Sequence, residues 1–89
     1  MEDLGHPVSY LVAKRGIAVF ASDGKKLGRV IKVQAAPEAN MFDGIVFDTN
    51  RGPGGRRFVD APEVEAIYER GVVLKIDSAA AESLPKPRR

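Results

Sequence analysis

Ser22-Asp23-Gly24-Lys25-Lys26, followed by Leu27-Gly28-Arg29-Val30-Ile31-Lys32-Val33-Gln34-Ala35, decides the fold. The Asp-Gly step supplies a residue that tolerates positive φ, as a hairpin turn requires. After it, Leu27, Ile31 and Val33 share one parity, with Arg29 the exception, while Lys32 and Gln34 share the other with Val30. One face of this strand is mostly apolar and the other mixed. Before the turn, Gly16-Ile17-Ala18-Val19-Phe20 reads as the partner strand. Beyond it, Met41-Phe42-Asp43-Gly44-Ile45-Val46-Phe47-Asp48 is the most apolar strand. Alternation puts Phe42 and Val46 on one face and Ile45 and Phe47 on the other. Both faces then need cover, or one is left for a partner. Gly44 inside it predicts a bulge or a close backbone approach.

The same grammar continues outward. Tyr10-Leu11-Val12 reads as a short opening strand, Ala36–Asn40 as a loop and Thr49–Gly55 as a glycine-rich turn. Arg57-Phe58-Val59 leads out of that turn as a short strand. Asp60-Ala61-Pro62-Glu63 fits a short helical turn with Pro62 in its first turn. A strand over Val64–Tyr68 follows. A helix running to Arg70 competes with it, because Val64, Ile67 and Tyr68 also fit one helical face. Glu69-Arg70-Gly71 makes a tight turn, after which Val72, Leu74 and Ile76 oppose Lys75 and Asp77 in a half-buried strand. Ser78 is expected to cap a short Ala-rich turn that Leu84 docks and Pro85 ends. The result is an all-β domain, a small and mostly antiparallel barrel of five to six strands with one or two short helical turns. Residues 1–13 form an arm or short first strand, 14–85 the domain, and 86–89 a basic tail.

Composition limits the function. With 89 residues, 44% of them apolar, there is one domain with a small core. The absence of cysteine removes disulfides, thiol nucleophiles and thiolate metal sites, and suits a reducing bacterial cytoplasm. An acidic, polar start lacks the pattern of a secretory signal, and no apolar run approaches the roughly 20 residues of a membrane span. Net charge is +2, but the tail Lys86-Pro87-Arg88-Arg89 carries +3 and the rest sums to −1. A broad basic face of the kind that grips phosphates is therefore not written in the sequence. Folding could still gather Lys25, Lys26, Arg29 and Lys32.

Four segments carry a resemblance: Asp23-Gly24-Lys25-Lys26-Leu27-Gly28-Arg29-Val30, Phe42-Asp43-Gly44-Ile45-Val46, Phe58-Val59-Asp60-Ala61-Pro62-Glu63-Val64, and Gly71-Val72-Val73-Leu74-Lys75-Ile76-Asp77 with Leu84-Pro85. In this order they resemble the PRC-barrel family, known from the photosynthetic reaction centre H subunit and from the C-terminal domain of a ribosome-maturation factor. The likeness covers about residues 14–85 and points to the small stand-alone bacterial members. It implies a PRC-type β-barrel. The first relative adds an N-terminal membrane helix and the second an extra N-terminal domain. This chain shows neither, so neither activity carries over residue by residue.

No catalytic constellation is apparent. His6, the lone histidine, has no recognisable nucleophile, orienting group or companion ligand nearby. Asp43, Asp48, Asp60 and Glu63 lack metal-site spacing, and turn, cap and solubility roles account for each. No enzyme activity, cofactor or metal is expected. Arg51-Gly52-Pro53-Gly54-Gly55-Arg56-Arg57 is not a phosphate-binding Walker loop, since no Lys-Ser/Thr follows and no helix opens. Two binding readings remain. In the first, an exposed sheet face around Phe42, Val46 and Tyr68 docks a protein or a second copy as a homodimer. In the second, Lys25, Lys26, Arg29, Arg51, Arg56 and Arg57 contact RNA or the ribosome.

Overall fold

A computed structural model describes residues 3–49 and 55–87. Its strands are β1 (Ala18–Phe20), β2 (Lys26–Ala36), β3 (Met41–Asp48), β4 (Arg56–Asp60), β5 (Val64–Tyr68) and β6 (Gly71–Leu74), and one helical turn, α1 (Ser78–Ala81), follows them. They form one six-stranded sheet in the order β4-β3-β2-β1-β6-β5. Every pairing is antiparallel except β1 with β6. The mostly antiparallel β character and the strand at 64–68 are as the sequence predicts. Pairing with β6, from Val64 on Leu74 to Tyr68 on Gly71, decides that segment against the helical alternative.

The sheet does not close into a barrel, which corrects the expected architecture. The edge strands β4 and β5 are joined only through a 3-10 turn, Ala61–Glu63. Other backbone occupies the hydrogen-bonding edges that closure would need. On β4, Phe58 N–H donates to Pro85 C=O at 2.9 Å. On β5, Ile67 C=O accepts from Val8 N–H at 2.8 Å, and Pro7 bridges Tyr68. Just beyond, Glu69 N–H donates to His6 C=O and Arg70 N–H to Leu4 C=O. Both edges are thus masked by chain rather than left for strand addition.

Two bulges set which side chains meet the core. Val30 faces Phe47 and Lys32 faces Val46, so Ile31 is an extra residue and the inward parity of β2 switches there. Val30 is inward before it, and Val33, opposite Ile45, packs on the core after it. On β3, Gln34 faces Gly44 and Ala35 faces Phe42, so Asp43 is the extra residue. This bulge brings Phe42 onto the side of Ile45 and Phe47, away from Val46, against the simple alternation. Val19, Val30, Ile45, Phe47, Val59, Ile67, Val72 and Leu74 form the buried cluster.

Two local readings also change. Tyr10–Val12 is a 3-10 turn rather than a strand, because Ser9 caps it: its Oγ accepts from Leu11 N–H at 3.1 Å. The cap of α1 is Asp77, not Ser78; its carboxylate accepts from Ala80 N–H at 2.8 Å. Ser78 instead donates its hydroxyl to Asp23 Oδ2 at 2.7 Å, clasping the Asp-Gly turn to α1. Gly24 in that turn sits at φ +88°, as the sequence requires.

The clasp makes a pH prediction. The Ser78 hydroxyl, helped by backbone N–H groups and opposed by slight desolvation, holds the Asp23 carboxyl below its ordinary value of 3.8. A carboxyl depressed on folding adds stability above its unfolded value and loses it as pH falls through the folded one. In Ser78→Ala, the Asp23 carboxyl carbon should titrate closer to 3.8 by NMR. The difference in Tm between the two proteins should shrink as pH falls below 3.8. A pH-independent difference would show that the clasp is not ionic.

Candidate functional site

The structure does not assemble Phe42, Val46 and Tyr68 into one exposed face. Val46 is 5% exposed. On its face of the sheet it lies between Lys32 and Phe58, its register partners. A Cβ on Gly44 would meet Val59 O and stand 2.6 Å from the Phe58 ring, so that ring covers this side of β3. The expected open face on 41–48 is therefore closed over 44–47, and Val46 is not a surface contact. Tyr68 is half-buried on β5, which β2, β1 and β6 separate from β3.

Phe42 instead lies under Tyr10. The rings stack with centroids 5.1 Å apart and 11° between planes, and Tyr10 Oη reaches Asn40 Oδ1 at 3.5 Å. This stack fastens the 3-10 turn to the start of β3. Leu11 and Val12 follow Tyr10, and Met41 precedes Phe42. These three are the large apolar side chains exposed among the described residues, at 60%, 60% and 55%. All three thus belong to the two segments that the stack joins, a junction called the corner below. Sequence reading assigned Leu11 and Val12 to a strand and so missed this corner; Ser9 before the apolar run was the available signal.

The basic residues gather elsewhere. Arg15, Lys26 and Arg29 line an open hollow of about 630 Å³, together with Leu27, Ile31 and Asp48. A smaller hollow of about 170 Å³ shares Lys26, Leu27 and Thr49 with it and adds Lys25 and Arg57. Arg29 is held in place, its Nη1 donating to Gly16 C=O at 3.1 Å. Arg56 is exposed on β4 and lines neither hollow. Arg51 lies outside the described residues, as do Arg88 and Arg89 of the tail. Arg15 was not among the sequence candidates. Its place beside Gly16, whose N–H donates to Val30 C=O, brings it to the groove.

The residues considered for chemistry do not converge. His6 is exposed, and its backbone, not its ring, makes the recorded contacts, with Glu69. Asp43 and Asp60 are exposed, Glu63 is in the 3-10 turn and Asp48 lines the larger hollow. Among the described residues no group of three or more His, Cys, Asp or Glu side chains is placed to hold a metal ion. No helix among them is long and apolar enough to cross a membrane. No protein-family model matches the chain and no curated protein matches it.

Proposed function

We propose that the chain is a non-catalytic protein-interaction module of the PRC-barrel type, working in the bacterial cytoplasm. Its contact surface is the corner formed by Leu11, Val12 and Met41. The observation that supports this reading is their placement: every large apolar side chain exposed among the described residues is within two residues of Tyr10 or Phe42, whose rings stack. Solvent exposure of single apolar residues is ordinary, whereas several at one corner on a stacked aromatic base form a docking patch. Three side chains fall well short of the roughly 800 Å² per partner of a standard interface. The reading is accordingly transient docking on another protein, with self-association to a homodimer only weak. The open sheet departs from the closed barrel that the resemblance implies.

Leu11→Glu with Met41→Glu tests this. Both positions are exposed, so stability should move by about 0.5 kcal/mol or less per site. Affinity capture with the tagged variant should lose a partner that the tagged wild-type chain retains at high salt. Full retention of that partner by a folded variant would remove the corner from the account.

A further inference from the structure

We infer that the hollow lined by Arg15, Lys26 and Arg29, continued by Lys25 into its neighbour, is a binding groove for the phosphodiester backbone of a nucleic acid. The site is independent of the apolar corner. Its residues are different ones: it lies toward the Lys26 end of β2, whereas Met41 of the corner pairs with Ala36 at the other end.

Three observations carry the inference. First, the cations are concentrated: Arg15, Lys26 and Arg29 outnumber the one carboxylate of the larger hollow, Asp48, and Lys25, Lys26 and Arg57 outnumber the one of the smaller, Glu82. Second, the two hollows are neighbours that share Lys26, Leu27 and Thr49 as lining. The charges therefore follow a track, which suits a polymer of repeating charge better than one small anion. The Arg29 guanidinium spends one of its five donors on Gly16 C=O and is held ready with the others. Third, none of the exposed large apolar side chains described, Leu11, Val12 and Met41, lines either hollow. A protein partner gains most of its affinity from such anchors, while a phosphate backbone is held by charge alone. Without an aromatic platform for bases, recognition is sequence-independent.

The test is fluorescence anisotropy with a labelled 20-nucleotide single-stranded RNA, a DNA duplex, and labelled poly-glutamate. The chain should bind RNA or duplex, and their ratio tells which backbone is preferred. Affinity should fall about 20- to 40-fold between 50 and 200 mM salt if three phosphates are neutralised, for single and double strands respectively. Arg15→Glu with Lys26→Glu changes two exposed side chains and should weaken binding about tenfold or more, with an unchanged thermal melt. Arg29→Glu is the riskier variant because it also frees Gly16 C=O. Lys75→Glu, an exposed position on the segment after β6, should leave binding within about twofold. No binding at 50 mM salt overturns the inference. So does an equal loss in Lys75→Glu, which would make the effect one of net charge. Poly-glutamate binding as tightly as RNA would also overturn it, assigning the groove to an acidic peptide.

Discussion

Phe47→Ala is expected to remove about 3–5 kcal/mol of stability, the range for truncating a buried aromatic ring. Phe47 is 1% exposed and heads the fully buried side chains by size. It pairs with Val30 on one side and Arg57 on the other, in the middle of β3. A chain of 89 residues has a total stability of about 4–13 kcal/mol at the usual per-residue scale. The variant should therefore be mostly unfolded, or melt at least about 12 °C lower, given about 4–8 °C per kcal/mol for a domain of this size. Urea unfolding followed by circular dichroism measures it. Met41→Ala, on the same strand but at the surface, should change stability by about 0.5 kcal/mol or less. A small loss for Phe47→Ala would mean that Phe47 does not fill the core as described.

Gly28→Ala carries the second large effect, and it acts through backbone rather than cavity. A Cβ on Gly28 would collide with the carbonyl oxygen of Asp48, and it would stand 2.8 Å from the Asp48 carbonyl carbon and 3.1 Å from Thr49 Cα. These are main-chain atoms, so no rotamer change relieves the contact. The end of β3 must move away from β2 at the mouth of the basic groove. Overpacking of this kind costs about 1–3 kcal/mol and more where the neighbour cannot yield. We expect the upper end of that range, with amide exchange accelerated first at Arg29 and Asp48, which are register partners. Gly16→Ala has open space around its Cβ but sits at φ +87°, so its smaller cost is conformational. A Gly28→Ala protein as stable as wild type would show that β2 and β3 do not approach as closely as described.

The regular elements were legible because local chemistry and tertiary packing agree there. The Asp-Gly turn, the strand around Val72 and Leu74, and the Pro62 turn each carry a short-range signal that survives folding. The faces of β2 and β3 were not legible, since a bulge is one residue that alternation counts as ordinary. Ile31 and Asp43 carry no compositional mark, yet they decide that Phe42 turns inward and that Val46 lies under Phe58. Barrel closure depends on which backbone reaches an edge first. The hydrogen bonds from Val8 and to Pro85 come from segments read only as an arm and a helix stop. Of the basic residues, Lys25, Lys26 and Arg29 were visible beside their turn, and Arg57 beyond the glycine-rich loop. Arg15 joins them through Gly16, a contact between segments that no spacing encodes. Leu11 and Val12 show the reverse error: an apolar run suggests burial, but a capped 3-10 turn leaves it at the surface.

The central claim is that the corner at Met41, and not the sheet face at Val46, meets a protein partner. The most direct test replaces Met41 with a photo-crosslinking amino acid in the producing cells, with the same replacement at Lys75 as the comparison. Illumination should give a discrete protein adduct from position 41 that survives ribonuclease, and none from position 75. No adduct at 41, or the same adduct from both positions, would contradict the account.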